Sequence, residues 1–99
     1  MKITKTKADA TYTLAVEGRL DTNSAVEFDK EISMLGDDAN ELIFDFANLE
    51  YISSAGLRIL LSTHKNFSKK GGMTIINANE NVMEVFEVTG FLDVLNIKE

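Results

Sequence analysis

Two adjacent serines, Ser53 and Ser54, are the residues of this chain whose type and position suit chemistry. They follow a short apolar run and precede Ala55 and Gly56, after which a helical pattern of apolar residues begins. A serine in the first turn of a helix places its hydroxyl beside backbone N–H groups that have no intrahelical partner. Because one cap needs one serine, two interpretations remain open: the pair only caps the helix, with Ser53 as the N-cap, or Ser54 is in addition modified by another protein.

Nucleophilic catalysis by these serines is not supported by the sequence. The run 52–56 resembles the end of a nucleophile elbow, but the glycine two positions before the serine is missing. The single histidine, His64, lies further along the same predicted helix, where it is out of reach as a general base for Ser54. We therefore predict that the chain is not an enzyme.

Cofactor and metal sites also lack their sequence signatures. Neither GxxxxGK[ST] nor a GxGxxG motif after a strand is present. The pair Asp37 and Asp38 and the scattered glutamates do not have the spacing of metal ligands. Asp45 stands alone in its strand, so we interpret it as a hydrogen-bond acceptor for the loop 48–53 rather than as part of a phosphoaspartate site. We predict no cofactor and no metal.

Composition and charge narrow the class of protein. The 99 residues are 44% hydrophobic and 26% charged, which fits one globular domain spanning residues 1–99. A net charge of −6 argues against nucleic acid as a partner, because phosphate binding needs clustered lysines and arginines. No cysteine is present, no signal peptide is recognisable and no apolar run approaches the ~20 residues of a membrane span. We predict a cytoplasmic protein without a membrane partner.

Apolar periodicity predicts a β-hairpin and a helix in the first third of the chain. Residues 2–7 and 11–17 alternate as two antiparallel strands joined by a short turn. Ser24 and Glu27 have the spacing of a capping box at the start of a helix that runs to Leu35. The helix would then follow the hairpin directly and pack on one face of the sheet.

Strands and helices alternate in the rest of the chain. The apolar run Leu42–Phe46 indicates a strand that is covered on both faces. The elements predicted after it are a helix over Ser54–Lys69, a strand over Met73–Asn77, a helix from about Asn81 to Gly90, and a helical turn with a small strand over Phe91–Ile97. The residues predicted to be buried by the two later helices are Leu57, Leu60, Leu61 and His64, and Val82, Val85, Phe86 and Val88.

This order predicts an α/β fold with a mainly parallel sheet, an antiparallel N-terminal hairpin and helices packed on the sheet. In such folds, functional groups collect where the carboxyl ends of strands lead into helices. The segments 18–24 and 48–55 are predicted to be two such loops. Asp21, Ser53 and Ser54 are therefore expected on one edge of the molecule.

Three stretches of the chain resemble the STAS domain of bacterial anti-sigma factor antagonists. These are EGRLDTNSA, LIFDFANLEYISSAGLRILL and FEVTGFLDVLNI, and with the N-terminal hairpin the resemblance extends over essentially the whole chain. It implies a STAS-like fold and a function in partner switching. In the family, the unphosphorylated antagonist binds an anti-sigma factor that is also a serine kinase, which releases the sigma factor. Phosphorylation by that kinase breaks the complex, and a PP2C-type phosphatase restores binding.

The resemblance also implies which residues form the site. The phosphorylated serine of the family lies two residues before the glycine at the helix start, which is Ser54 here. Many members have an aspartate before this serine and a second hydroxyl after it, where this chain has Ser53 and Ala55. The residues predicted to bind the partner are Asp21, Ser53, Ser54, Ala55, Gly56 and Arg58.

Arg58 and the overall function keep alternatives at this stage. Arg58, one helical turn after Ser54, either pairs with a phosphate, contacts the partner or is a solvated helix residue. Besides a phosphorylation switch, the chain is compatible with a STAS scaffold or adaptor whose serine only caps the helix. A small nucleotide-binding or hydrolytic domain is the third alternative.

Overall fold

The computed structural model describes residues 1–98, which form six β-strands, three α-helices and one short 3-10 helix. The strands are β1 (Lys2–Ala8), β2 (Thr11–Leu20), β3 (Glu41–Asp45), β4 (Leu49–Ile52), β5 (Gly72–Ile76) and β6 (Asn96–Lys98). The helices are α1 (Ser24–Ser33), α2 (Ser54–Phe67) and α3 (Glu80–Thr89), with the 3-10 helix at Phe91–Asp93. The elements follow the predicted order, with β4 as an additional strand.

The strands form one sheet in the order β1-β2-β3-β5-β6, and β4 pairs with β2 beyond the end of β3. The pair β1 and β2 is antiparallel, whereas the other pairs are parallel. The predicted α/β fold, with a mainly parallel sheet and an antiparallel N-terminal hairpin, is thus confirmed. One edge is β1, where Lys2, Lys5 and Lys7 are exposed, a distribution of charge that disfavours pairing with strands of other molecules.

The prediction that segment 48–55 is a loop is wrong, because Leu49–Ile52 forms β4. The long strand β2 pairs through its first half with β3 and through its end, Gly18–Leu20, with β4. The register shifts between Gly18 and Arg19, and Gly18 has a φ of 96°, which a residue with a side chain rarely adopts. Only the first and last of the four β4 residues are buried, so the segment lacks the alternation by which a strand is recognised.

The hydrophobic core lies between one face of the sheet and the helices. In β3, Leu42 and Phe44 point to the core face and are fully buried, whereas Ile43 on the opposite face is only half-buried. The Phe44 ring packs between Phe28 of α1 and Phe46, with centroid distances of 5.3 and 5.7 Å. The prediction that this strand is covered on both faces is wrong for the second face, which stays partly open to solvent.

Asp45 joins the ends of β3 and β5 rather than contacting the segment 48–53. Its carboxylate accepts hydrogen bonds from the Ala47 N–H at 3.0 Å and from the Asn77 side-chain amide at 3.1 Å. Asn77 has a φ of 62°, a conformation that asparagine tolerates better than most residues. The predicted contact fails because backbone groups of that segment pair with β2 instead.

The helix bounds agree with the prediction except in detail. Helices α1 and α2 each end two residues earlier than predicted, at Ser33 and Phe67. The first residue of α3 is Glu80, because the Asn79 side chain accepts a backbone N–H of the first turn at 2.9 Å. The predicted end of α3 at Gly90 is confirmed, and this glycine has the left-handed φ of 80° that helix termination favours.

The predictions that Leu61, His64 and Val88 are buried are wrong. Val88 is 76% exposed, on the side of α3 away from the fully buried Phe86. In α2, Leu61 and His64 are only half-buried, whereas Thr63, which was not predicted to be buried, is 4% exposed. The Thr63 hydroxyl donates to the Ile59 carbonyl at 2.7 Å, so its polar group is satisfied within the helix. A pattern of apolar residues does not reveal such a position.

Candidate functional site

The starts of α1 and α2 lie side by side because the strands that precede them are paired. Strand β2 leads into α1, and β4 leads into α2. The contact continues past the end of β4, where the Ser53 N–H donates to the Leu20 carbonyl at 2.8 Å. Asp21 follows Leu20 and Ser54 follows Ser53 along the chain. The expected meeting of these residues at one edge therefore results from a strand that the sequence did not predict.

Ser53 is the N-cap of α2, as predicted. Its backbone is extended, with φ −92° and ψ 172°, and its hydroxyl accepts from the Gly56 N–H at 3.3 Å. Its carbonyl accepts from the Leu57 N–H at 3.0 Å, which begins the helix. The residue is 8% exposed, so its hydroxyl is both engaged and shielded. The observed contact of its hydroxyl is the cap of α2, and its role in partner binding stays a prediction.

Ser54 occupies the next position and has the opposite surroundings. It is the first residue of α2 and is exposed to solvent. Since the Ser53 hydroxyl already caps the helix, the Ser54 hydroxyl is not needed for that purpose. The helix N-terminus carries a partial positive charge, which favours an anionic group at this position. An acceptor of a phosphoryl group fits these surroundings.

Gly56 makes the close approach of α2 to the two strand ends possible. It is buried, and a Cβ atom at this position would lie 2.8 Å from Leu20 Cγ and 3.0 Å from Ile52 Cγ1. Both neighbours are core residues that have no room to move aside. The glycine two residues after Ser54 is therefore explained by packing, while the half-buried Ala55 lies at the surface beside it.

Asp21 and Ser24 hold the start of α1 by reciprocal hydrogen bonds. The Asp21 carboxylate accepts from the N–H groups of Asn23 and Ser24, at 3.0 and 2.9 Å. In return, the Ser24 hydroxyl accepts from the Asp21 N–H at 2.9 Å. The predicted capping box of Ser24 with Glu27 is wrong, because Ser24 is the second partner of a box that begins three residues earlier.

The same contacts perturb the ionisation of Asp21. Hydrogen bonds from the Ser24 N–H and hydroxyl, followed by that from the Asn23 N–H and the charge of Arg19, hold the pKa of the Asp21 carboxyl below its ordinary value of 3.8. The carboxylate is thus the stable form under physiological conditions. Asp21 contributes a fixed negative charge to this edge of the molecule, while its oxygen atoms are used in capping.

A groove of about 430 Å³ runs between α1 and α2, next to Ser54. We call it the α1–α2 groove and define it by Val26 and Asp29 of α1 and by Ala55, Arg58 and Ile59 of α2. Val26 is 73% exposed and places apolar surface at the edge of the groove. Sequence reasoning missed Val26 and Asp29, because both lie off the apolar stripe of their helix and gain meaning only from the neighbouring helix.

The groove carries one charge of each sign. The ion pairs within residues 1–98 are Lys5 with Glu31 and Lys7 with Asp38, and neither includes Asp29 or Arg58. Asp29 and Arg58 are exposed. A partner that enters the groove can therefore meet both an unpaired carboxylate and an unpaired guanidinium.

A stacked pair lies on the strands that precede the two helices. The Arg19 guanidinium lies 4.4 Å from the centroid of the Tyr51 ring, and these residues are opposite each other in the pairing of β2 with β4. Tyr51 remains 39% exposed. Sequence reasoning missed this pair, because it depends on the pairing of β4.

The structure places the single histidine out of reach of Ser53 and Ser54 as a general base. His64 is ten residues after Ser54 in the same helix, a rise of about 15 Å. Its Nδ1 atom is buried without a hydrogen-bond partner among residues 1–98. In that range no group of three metal-ligating side chains is found, and no helix is long and apolar enough to cross a membrane.

Comparison with known proteins connects this geometry to a family. The model of one protein family, described as the STAS domain, matches residues 2–99. BtrV of Bordetella bronchiseptica, a proposed anti-sigma factor antagonist, is 30% identical to this chain over 99 residues. The alignment covers 98% of this chain and 85% of BtrV.

Solved structures share the fold. An anti-sigma factor antagonist from Mycobacterium paratuberculosis has a TM-score of 0.87 at 21% identity, covering 97% of this chain and 83% of that chain. The Bacillus cell fate determinant SpoIIAA in its phosphorylated form has a TM-score of 0.75 at 17% identity, covering 99% of this chain and 92% of that chain. With its sequence matched over residues 2–99 and its sheet and helices shared with these proteins, the chain belongs to the STAS domain family.

Proposed function

We propose that this protein is an anti-sigma factor antagonist controlled by phosphorylation of Ser54. In its unphosphorylated form it binds an anti-sigma factor through the surface formed by the starts of α1 and α2. The partner is a serine kinase that phosphorylates Ser54, which ends the binding, and a PP2C-type phosphatase reverses the modification. The protein itself acts as a non-enzymatic binding switch. Control of sigma factors implies that it works in the cytoplasm.

The single observation that carries the proposal is the division of roles between the two serines. Ser53 is buried and its hydroxyl caps α2 by accepting from the Gly56 N–H. Ser54 is exposed at the first helical position, on the edge where the two helix starts meet. A kinase can reach the Ser54 hydroxyl without unfolding the cap, so modification and fold are compatible.

The physical effect of a phosphate on Ser54 is strong for a partner and mild for the fold. A phosphoserine carries about −1.5 to −2 charges at neutral pH. The N-terminus of α2 favours negative charge, so the modified protein should stay folded. A partner packed against Ser54 would instead have to cover a hydrated dianion. A loss of about 3 kcal/mol suffices to weaken binding more than a hundredfold.

The relatives agree with this proposal. BtrV is itself proposed to be an anti-sigma factor antagonist, and its alignment with this chain covers 98% of this chain and 85% of BtrV. SpoIIAA, which shares the fold, is a protein for which a phosphorylated form has been solved. These names concern those proteins, and they support a test of the same function here.

Binding to an anti-sigma factor kinase of the same organism tests the proposal. Wild type, Ser54→Ala and Ser54→Asp would be compared by isothermal titration calorimetry, with Asn66→Asp as a matched control that adds the same charge at an exposed position of α2 outside the α1–α2 groove. We expect wild type and Ser54→Ala to bind, Ser54→Asp to lose at least about a hundredfold in affinity, and Asn66→Asp to lose less.

Equal binding of wild type and Ser54→Asp would overturn the phosphorylation switch. That result would favour an adaptor, in which Ser54 is merely an exposed residue after the cap. Loss of binding by Asn66→Asp to the same extent as by Ser54→Asp would also contradict the proposal, because it would show a general effect of charge rather than one at Ser54.

A further inference from the structure

Arg58 connects Ser54 with the α1–α2 groove. It lies four residues after Ser54 in α2, so the two side chains share one helix face with Cβ atoms about 5–6 Å apart. It also lines the groove, together with Val26 and Asp29 of α1. The same guanidinium can therefore reach either a phosphate on Ser54 or a group inserted into the groove, and it cannot serve both fully.

We propose that Arg58 binds a carboxylate of the anti-sigma factor in the α1–α2 groove, and that the phosphate on Ser54 displaces this carboxylate by pairing with Arg58. The inference rests on the proposed function and adds to it the group that transmits the modification. Phosphorylation then acts by removing an attractive contact from the groove as well as by adding charge beside it.

The lining of the groove defines the segment that docks there. The exposed Val26 and the half-buried Ile59 provide the apolar part of the lining. Arg58 and Asp29 supply opposite charges, and neither has an ion-pair partner among residues 1–98. A complementary segment has an apolar side chain between a carboxylate and a cation, the carboxylate meeting Arg58 and the cation meeting Asp29. We commit to the anti-sigma factor as its source, because the groove is lined by Ala55, which directly follows the exposed Ser54 in α2.

The tethered phosphate has an advantage over the partner's carboxylate. It is held within one helical turn of Arg58, so pairing requires no association step. Guanidinium binds a phosphate through two parallel hydrogen bonds, and the dianion attracts it more strongly than a carboxylate does. The unmodified Ser54 hydroxyl has no charge and leaves Arg58 available to the groove.

Arg58 is placed one helical turn from Ser54 in the same helix. The second of the two arginines, Arg19, has its guanidinium stacked 4.4 Å from the Tyr51 ring centroid. Lys65 lies in the last turn of α2, about 16 Å along the helix from Ser54. Lys65 therefore provides a matched control for loss of a positive charge from the same helix.

The first test measures the phosphate itself. Phosphoserine is incorporated at position 54 during synthesis by an expanded genetic code, and its second pKa is followed by ³¹P NMR titration. Pairing with Arg58 favours the dianion, so Arg58→Gln should raise this pKa by about 0.2–0.4 units, whereas Lys65→Gln should leave it within about 0.1 unit. Arg58→Lys should give an intermediate value. An equal pKa in wild type and Arg58→Gln would overturn the pairing.

The second test measures the competition for Arg58. The anti-sigma factor kinase without ATP is titrated with the unmodified and the phosphoserine protein, each as wild type and as Arg58→Gln. We expect Arg58→Gln to weaken binding of the unmodified protein about tenfold or more. Phosphorylation should then cost Arg58→Gln about twofold less affinity than it costs wild type, as expected from the strength of an exposed ion pair one helical turn apart. A phosphorylation effect of equal size in both would overturn the displacement.

These tests distinguish the inference from the proposed function. The phosphate is installed without the kinase, so the titration reports on Arg58 even if the kinase never modifies Ser54. Failure of phosphoserine to weaken binding in wild type would refute the proposed switch. A switch that persists unchanged in Arg58→Gln would refute only the role of Arg58.

Discussion

The starts of α1 and α2 are built from the same types of residue and leave different groups exposed. At α1, Asp21 and Ser24 cap the helix by hydrogen bonding to each other's N–H groups, so both side chains are engaged. At α2, Ser53 alone provides the cap, and the serine after it faces solvent. The comparison teaches that a serine at a helix start becomes available for modification when another residue has taken over the capping. Substitutions at either helix start should therefore have different effects on folding and on modification.

The largest expected effect on folding is that of Gly56→Ala, which should disturb the start of α2. Alanine is favoured over glycine by about 1 kcal/mol within a helix. Here its Cβ would come within 3.0 Å of Leu20 and Ile52, an overpacking that costs up to about 3 kcal/mol, so we expect a net loss of up to about 2 kcal/mol in the free energy of unfolding. Urea denaturation measures this, and Asn66→Ala, an exposed change in the same helix, serves as control. Unchanged or raised stability would contradict the close packing of α2 on the strand ends.

The two serines of α2 should differ sharply when each is replaced by alanine. Ser53→Ala removes the cap and leaves the Gly56 N–H unpaired, so we expect a loss of about 1–2 kcal/mol in the free energy of unfolding. Ser54→Ala should change it by less than about 0.5 kcal/mol, as is usual for exposed positions. Both values come from the same urea denaturation experiment. Equal losses would show that the capping is shared and would remove the contrast between the serines.

The smallest expected effect concerns pH and the start of α1. Because the pKa of Asp21 is lower in the folded protein than its ordinary value of 3.8, Asp21 contributes stability above that value and loses the contribution as the pH falls through the folded pKa. Asp21→Asn should therefore show a shallower loss of stability below about pH 4, since its side chain does not titrate. Thermal unfolding across pH 2–6 measures this slope.

Asp38 provides the control for that titration. Its pKa is also held below its ordinary value, chiefly by the Lys7 side chain and then by the Tyr12 hydroxyl, far from either helix start. Asp38→Asn should flatten the acid limb in the same direction without affecting partner binding. An acid limb that is the same in wild type and Asp21→Asn would show that the capping carboxylate does not gain from its charge.

The sequence was informative about the fold because its signals are local. Alternation identified β2, and the apolar stripe together with Ser53 identified α2. The four-residue strand β4 was not predicted from the sequence, since it is stabilised by pairing with β2 and has no alternating pattern of its own. The hydrogen bonds of Asp21 with Ser24 cap α1, and the sequence did not indicate this capping because Asp21 lies three residues before the first residue of the helix. The role of Asp21 in partner binding stays a prediction.

The site was only partly predictable for a related reason. Ser54 and Arg58 could be found from their positions in one helix, since four residues span about one turn. Val26 and Asp29 acquire a role only when α1 lies beside α2, and that arrangement depends on the pairing of β2 with β4. A groove between two helices depends on how the helices pack, and this packing cannot be predicted from the apolar periodicity of each helix.

The most direct measurement is the location of the phosphate after the protein is incubated with its anti-sigma factor kinase and ATP. Intact mass gives the number of phosphates, and fragmentation of the peptides covering both helix starts assigns the residue. We expect one phosphate, on Ser54, in wild type and in Ser24→Ala, and none in Ser54→Ala. A phosphate on Ser53 or Ser24, or one that persists in Ser54→Ala, would contradict the claim that the exposed serine after the cap is the regulated residue.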